Sequence, residues 1–118
     1  MTCIFCQIAA GQAPATRYYQ DDLVTAFQDT HPIAPVHILI IPNRHIESVN
    51  AITPVDEALL GHLITVAQKL AVEQGIHQSG YRLMMNTGHD GGQSIDHLHL
   101  HLLGGRHLPL RFFLVIPP

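Results

Sequence analysis

The sequence predicts an α+β domain in which helices cover an antiparallel sheet. Three observations support this prediction. Short β-prone segments follow one another with brief turns between them, one longer segment carries apolar residues at helical spacing, and the length of 118 residues suits one domain. We therefore expect about five strands with one short and one long helix, and we place both helices on one face of the sheet.

The first half of the chain predicts a short helix, a β-hairpin and a central strand. Ile4 and Ile8 lie at helical spacing, and Gly11 ends that pattern. A polar turn over residues 20–22 separates two β-prone segments, and a nearly continuous β-branched run follows further along. The predicted elements are a helix over Ile4–Ala10 and strands over Thr16–Tyr19, Leu23–Phe27 and Val36–Ile41.

The second half predicts one long helix and two strands. Thr53 is placed to cap the helix, Pro54 suits its first turn, and Gly75 ends it. The apolar residues of this helix form one stripe that we expect in the core: Leu59, Leu60, Leu63, Ile64, Ala67, Leu70 and Ala71. The two strands are Tyr81–Asn86 and His97–Leu103, and a Gly-rich loop over 87–94 precedes the second.

Charge and cysteine content exclude several classes of protein. Six Lys and Arg against nine Asp and Glu give a formal net charge of -3 without a basic run, which argues against binding nucleic acid by charge. No segment approaches the ~20 apolar residues of a membrane helix, the first residues have no signal-peptide pattern, and the cysteines are too few for a disulfide framework. We therefore expect a cytoplasmic protein. With only 13% charged residues, apolar surface remains to be covered, which predicts a homo-oligomer.

The strongest chemical signal is the alternating segment His97-Leu98-His99-Leu100-His101. Successive side chains of a strand point to opposite faces, so the imidazoles share one face and the leucines pack on the other. Packing does not explain imidazoles in register, because each buried imidazole needs hydrogen-bond partners. We interpret the histidine face as the site of chemistry.

Two kinds of chemistry fit these aligned histidines. Three neutral imidazoles and a water molecule make a hydrolytic zinc site. Alternatively, a neutral imidazole attacks an electrophilic phosphorus and forms a covalent intermediate. The segment Gly91-Gly92-Gln93-Ser94 favours the second chemistry, because backbone N–H groups at glycines approach phosphate oxygens closely and Ser94 adds a hydroxyl.

The same residues resemble the histidine triad (HIT) family, and most closely its nucleoside phosphoramidase branch. The motif consists of Asp90–Ser94, the alternating histidines and Gly104-Gly105. The similarity also covers Tyr81–Asn86, Ile38–Pro42, His45 and Ile4-Phe5. We therefore expect a single HIT domain over residues 1–118 with a divergent tail over residues 106–118. The resemblance implies that the antiparallel sheet continues across a homodimer.

The resemblance also implies a nucleotide hydrolase whose chemistry requires no cofactor. Its expected substrates are purine nucleoside 5′-phosphoramidates or adenylylated compounds, which are cleaved to the nucleoside monophosphate through a nucleotidyl-histidine intermediate. A dinucleoside polyphosphate hydrolase of the same family would use the same residues. A zinc-dependent hydrolase with the triad histidines as ligands, and a nucleotide-binding module without catalysis, are the remaining alternatives.

The resemblance assigns a role to each expected site residue. His99 is the nucleophile, His101 contacts the phosphate, and His97 orients the site through hydrogen bonds. The other expected contacts are Ser94 and Asn86 to the phosphate or bridging atom, Gln93 in the same pocket, Asp29 to the ribose, and Ile4, Phe5 and Ile8 to the purine.

The motif Cys3-x-x-Cys6 departs from the simplest phosphoramidase pattern. On a helix the two sulfurs lie on one face and supply half of a tetrahedral zinc site. Zinc-bearing relatives imply His45 and His97 as the other ligands, in a structural site that leaves His99 free. The alternative interpretation is that both cysteines are small buried apolar residues.

Overall fold

The computed structural model of the protein describes residues 3–110 and contains one antiparallel sheet. Within these residues the strands are β1 (Arg17–Gln20), β2 (Val24–Gln28), β3 (Val36–Pro42), β4 (Tyr81–Met84) and β5 (Leu100–Gly104). The helices are α1 (Ile4–Ala9) and α2 (Glu57–Glu73), and short 3-10 turns cover Val49–Ala51 and Pro54–Asp56. The strand order is β1-β2-β3-β5-β4, and every neighbouring pair is antiparallel. The predicted α+β class and five strands are confirmed.

β3 is the central strand, as its β-branched sequence predicts. It pairs with β2 on one side and β5 on the other, so that Leu39 lies opposite both Phe27 and His101. Every residue from His37 to Pro42 is buried. A strand with partners at both edges and cover on both faces is rigid, so β3 is the reference frame for the side chains that flank it.

The two helices lie on opposite faces of the sheet, so the prediction that they share a face is wrong. Phe5 and Ile8 of α1 pack with Phe27, Leu39 and Ile41. The alternate strand residues pack on the α2 side instead: Val24, Ala26, Ile38, Ile40, Leu98, Leu100 and Leu102. Because β2 and β3 are buried at nearly every position, both of their faces are covered.

The long helix is preceded by a 3-10 turn at the predicted start, and its buried stripe differs from the predicted one, because Val66 is buried while Leu59 and Leu60 are only half-buried. The Thr53 backbone N–H donates to the Asp56 carboxylate at 3.0 Å, and Pro54 lies in the 3-10 turn that leads into α2. The buried residues of α2 are Leu63, Val66, Ala67, Leu70 and Ala71. Ile64, predicted in the core, is 54% exposed. It lies about 100° around the helix from Leu63, which turns it away from the sheet.

The histidine strand begins later than predicted, at Leu100. The His97 N–H bonds to the Ile95 carbonyl at 2.8 Å, and the Leu98 N–H bonds to the Ile46 carbonyl at 2.7 Å. Neither group therefore joins the ladder with β3. β4 also ends two residues early, at Met84, and α1 ends at Ala9.

The C-terminal segment contacts a side chain of β4 before the described residues end. Nη2 of Arg82 on β4 donates to the Leu108 carbonyl at 2.8 Å and to the Pro109 carbonyl at 3.2 Å. The apolar tail over residues 111–118 lies outside the described residues. In the part of the chain that is described, no helix combines the length and apolar character needed to cross a membrane.

Hydrogen bonds to the Asp21 carboxylate link the turn between β1 and β2 to α2. Its Oδ1 accepts the backbone N–H groups of Leu23 and Val24, both at 2.8 Å. Its Oδ2 accepts the Tyr19 hydroxyl at 2.7 Å and His62 Nε2 at 2.6 Å. Burial raises the pKa of this carboxyl, but the hydrogen bonds outweigh burial and hold the pKa well below its usual range.

We expect Asp21→Asn to lower the free energy of unfolding by about 1–3 kcal/mol at pH 7, because an amide offers one oxygen to four donors. The folded-state pKa of Asp21 is depressed, so its stabilisation is complete above the unfolded pKa of about 3.9 and is lost as pH falls toward the folded value. Urea unfolding of both proteins at several pH values measures the difference, which should shrink below about pH 4. Asp22→Asn, at an exposed neighbour, is the matched control. Equal stability of Asp21→Asn and the parent protein at pH 7 would contradict this account.

Candidate active site

The histidines of the alternating segment share one face of the sheet but divide between two clusters. The Phe5 ring of α1 contacts the rings of His97 and His99, with centroids 5.8 and 5.2 Å away. The rings of His99 and His101 are neighbours, with centroids 5.0 Å apart. His97 instead lies beside His45, at 5.0 Å. The structure therefore separates His97 from the pair formed by His99 and His101.

His99 presents an unprotonated ring nitrogen. Its Nδ1 lies 2.6 Å from the backbone carbonyl of His97. A carbonyl only accepts, so Nδ1 carries the proton and Nε2 keeps its lone pair in the neutral ring. Burial lowers the pKa of His99, although the hydrogen bond to His97 and the charge of Asp29 oppose that effect. A neutral imidazole with a free Nε2 is the form that acts as a nucleophile.

His101 lies within hydrogen-bond distance of His37, a buried residue of β3. The Ile33 backbone N–H donates to His37 Nδ1 at 3.2 Å, so His37 carries its proton on Nε2. That Nε2 lies 2.9 Å from His101 Nδ1 and donates to it. His101 therefore carries its own proton on Nε2. Burial, with the neighbouring His99 and His37, lowers the pKa of His101 to about 3.

Asp29 forms a turn and also reaches the histidines. Its Oδ1 accepts the His31 backbone N–H at 2.8 Å, as in an Asx turn. Its Oδ2 lies 3.2 Å from His37 Nε2. Asp29 therefore shapes its turn with one carboxylate oxygen and reaches the histidine cluster with the other.

A cavity of about 570 Å³ lies beside Asp29. Its lining includes Ile8, Phe27, Gln28, Asp29, Thr30 and Pro32. Apolar side chains such as Ile8 and Phe27, together with the polar Gln28 and Thr30 and one carboxylate, suit a flat base attached to a hydroxylated sugar. Of the predicted purine contacts, Ile8 lines this cavity, whereas Phe5 is buried against Phe27 and Ile4 is 43% exposed.

The amides of Asn86 and Gln93 hold the Gly-rich loop in shape. Asn86 Nδ2 donates to the Gly91 carbonyl at 2.7 Å, and Gln93 Oε1 accepts the Gly88 N–H at 2.9 Å. Gln93 Nε2 donates to the carbonyls of Glu47 and Ile95, at 2.7 and 3.0 Å. The predicted contacts of Asn86 and Gln93 with substrate stay predictions, while their bonds within the protein are structural.

Close backbone packing explains why the loop needs glycine. A Cβ at Gly91 would lie 2.3 Å from the Thr87 carbonyl oxygen, and Gly92 has a φ of +79°. Ser94 is exposed on this loop, just ahead of the buried histidines. Its predicted phosphate contact stays a prediction.

The four predicted metal ligands converge at the start of α1. The Cys3 and Cys6 sulfurs lie 3.3 and 3.5 Å from His97 Nδ1, and the Cys6 sulfur lies 3.3 Å from His45 Nδ1. His97 Nε2 donates to the Pro42 carbonyl at 2.9 Å, so its Nδ1 directs a lone pair at the sulfurs. Two sulfurs and two imidazole nitrogens are a donor set that suits zinc.

The same geometry argues against zinc on the three triad histidines. Within residues 3–110 no group of converging metal-ligating atoms contains all three of them. Asp29, His37 and His101 do form a second such group. However, the Ile33 N–H on His37 Nδ1 requires a proton on Nε2, which is the atom that would have to bind the ion.

Comparisons with known proteins agree with the geometry. A family model described as the HIT domain matches residues 10–108. The chain is 54% identical over 105 residues to a purine nucleoside phosphoramidase of Escherichia coli (strain K12), with 89% of this chain and 88% of that protein covered.

Two solved structures extend the comparison. A HIT family hydrolase from Legionella pneumophila Philadelphia 1 superposes with a TM-score of 0.92 at 44% identity, covering 94% of this chain and 99% of that one. A zinc-bound histidine triad family protein from Mycobacterium smegmatis has a TM-score of 0.79 at 29% identity, covering 90% and 76%. The predicted family and fold are confirmed: the chain belongs to the histidine triad (HIT) family.

Proposed function

We propose that the protein hydrolyses purine nucleoside 5′-phosphoramidates or adenylylated compounds to the nucleoside monophosphate. One observation carries the proposal: the His97 carbonyl holds the proton of His99 on Nδ1 and leaves Nε2 free to attack. The relative at 54% identity, a purine nucleoside phosphoramidase, supports the same substrate class and favours it over dinucleoside polyphosphates.

The reaction has two displacements at the α-phosphorus. In the first, the Nε2 lone pair of His99 forms a bond to phosphorus, and the bond from phosphorus to the leaving group breaks. The leaving group takes the bonding electrons, accepts a hydrogen bond from the neighbouring His101 Nε2–H and receives its proton from solvent water. In the second, a water oxygen bonds to phosphorus and releases one proton to solvent, the bond from phosphorus to His99 Nε2 breaks, and the lone pair returns to His99, which completes the nucleoside monophosphate.

The His97 carbonyl also stabilises the intermediate. A phosphorylated imidazole whose Nδ1 keeps its proton is positively charged. The 2.6 Å hydrogen bond from His99 Nδ1 to the carbonyl becomes stronger when that charge develops. The same bond therefore orients the nucleophile and stabilises its product.

The nucleoside occupies the cavity beside Asp29. The Asp29 carboxylate accepts hydrogen bonds from the ribose hydroxyls, and the apolar walls formed with Ile8 and Phe27 contact the base. Ser94 and the Gly-rich loop contact the phosphate at the entrance to the buried histidines. Ile4 and Phe5 complete the apolar surroundings of the base, Phe5 through its contacts with Phe27 and His99.

A structural zinc ion bound by Cys3, Cys6, His45 and His97 is part of this proposal. The lone pair that His97 Nδ1 directs at the sulfurs supports the fit, and the Mycobacterium smegmatis relative is zinc-bound. Bound zinc would supply a cross-link between α1 and the segment that carries His99. The chemistry itself requires no cofactor, because His99 is not among these ligands.

Surface left uncovered by the described chain supports a homodimer as a further part of this proposal. β4 is an edge strand whose residues are all half-buried, and it offers backbone groups for a continued sheet. On the outer side of α2, Ile64 and Val72 are 54% and 52% exposed, near an exposed Gly61. Covering these side chains with a second copy removes apolar surface from water. The cytoplasmic location stays a prediction.

We expect His99→Ala to reduce hydrolysis of an adenosine phosphoramidate by about 10³-fold or more, because no other group replaces the nucleophile. Intact-protein mass spectrometry after brief mixing should show one adenylyl adduct on the parent protein and none on the variant. His77→Ala, at an exposed histidine, is the matched control. Full activity or an adduct in His99→Ala would refute the assignment. Parallel rates on diadenosine polyphosphates measure the preference between the two substrate classes.

The zinc proposal predicts one ion per chain in a native mass spectrum and a lower Tm after treatment with a chelator. A loss of about 1 kcal/mol shifts the Tm of a domain of this size by about 4–8 °C. Cys6→Ser should bind less zinc and respond less to the chelator. A spectrum without zinc after refolding with the metal, together with an unchanged Tm, would exclude the site.

The homodimer predicts that Ile64→Glu produces a monomer, because a buried carboxylate without a partner opposes association. Light scattering coupled to size-exclusion chromatography measures the mass in solution. Val55→Glu changes a residue that is 89% exposed and lies outside α2, so it should leave the dimer intact. A parent protein that is monomeric would contradict the proposal.

A further inference from the structure

His37 connects the nucleoside cavity to the catalytic histidines. It is buried on β3, and its side chain is only 3% exposed. Its Nε2 lies 3.2 Å from Asp29 Oδ2 and 2.9 Å from His101 Nδ1. Asp29 lines the cavity, and His101 adjoins His99. One imidazole nitrogen therefore lies between the group that meets the sugar and the group that meets the phosphate.

That nitrogen has a single proton for two acceptors. The Ile33 N–H occupies His37 Nδ1 at 3.2 Å, so the neutral ring carries its proton on Nε2. Asp29 Oδ2 and His101 Nδ1 compete for this proton. The carboxylate is charged and attracts the proton strongly, while His101 is slightly closer.

The sugar changes this competition because it uses the same carboxylate. Asp29 Oδ1 already accepts the His31 N–H at 2.8 Å, which leaves Oδ2 as the less occupied oxygen. The Asp29 side chain is 20% exposed, so hydroxyl donors can reach it. Hydrogen bonds from a vicinal diol spread the carboxylate charge over new donors and weaken its attraction for the His37 proton.

We propose that Asp29 and His37 convert recognition of the ribose diol into faster phosphoryl chemistry. Binding of the diol to Asp29 releases the His37 N–H to His101 Nδ1, which keeps the His101 proton on Nε2, facing the reacting group. His37 is thus a positioning residue that acts through His101. This inference rests on the proposed function and specifies its sugar requirement: ribonucleosides react faster once bound, as well as binding more tightly.

The test compares two substrates in single turnovers at saturating enzyme. Adenosine phosphoramidate and its 2′,3′-dideoxy counterpart differ only in the diol. In the parent protein the rate of the first displacement should be about three- to tenfold higher with the diol, which is the effect of one hydrogen bond. His37→Gln replaces one N–H by an amide with two, so Asp29 and His101 no longer compete. The ratio of the two rates should then fall close to one.

Two further variants make the result specific. Asp29→Asn removes the carboxylate charge and should also bring the rate ratio close to one, and it carries the test if His37→Gln does not fold. His77→Gln, at an exposed histidine, should keep the ratio of the parent protein. Apparent affinities measured in the same series separate binding from rate.

Each outcome has a defined meaning. If the diol changes the affinity of the parent protein and not the rate of the first displacement, the inference is wrong and the proposed function stands. A rate ratio that is unchanged in both His37→Gln and Asp29→Asn also overturns it. If the parent protein forms no adduct with the ribonucleoside substrate, the proposed function fails and the inference fails with it.

Discussion

The hydrogen bond between the His97 carbonyl and His99 Nδ1 joins the packing of this protein to its chemistry. At 2.6 Å it holds the buried ring and determines which nitrogen of His99 is free. The position of the carbonyl depends in turn on the His97 ring, which is anchored by the Pro42 carbonyl at the end of β3 and by the cysteines of α1. Changes near α1 are therefore transmitted to His99, the proposed nucleophile, through one residue.

Backbone groups determine which ring nitrogen carries the proton in His97, His99 and His37. The carbonyls of Pro42 and His97 can only accept, and the Ile33 N–H can only donate. Unlike a side chain, these groups cannot exchange donor and acceptor roles. The rigid central strand β3 and its neighbours thus set the tautomers of His97, His99 and His37, and His37 sets that of His101. This arrangement leaves Nε2 of His99, the proposed nucleophile, free before substrate binds.

The two faces of the sheet have separate roles. The α2 face is covered by aliphatic side chains and supplies most of the apolar burial. The α1 face combines a smaller apolar cluster with the histidines, Asp29 and the cysteines. Successive side chains of β3 and β5 point to opposite faces of the sheet, and this alternation allows the division. Loss of a polar group on the α1 face therefore leaves the larger core intact, which makes the proposed substitutions at His99 and Asp29 usable as tests.

Local sequence determined the α+β class, the succession of helices and strands along the chain, the turn that leads into α2 and the shared face of the triad histidines, because period and capping are short-range properties. The resemblance supplied the four proposed metal ligands, whose side chains converge in the structure. Only the tertiary structure placed the helices on opposite faces, turned Ile64 outward and brought Asp29 and His37 to His101. These features depend on which strands pair and in what register. His37 and His101 are 64 residues apart, and only the pairing of β3 with β5 makes them neighbours.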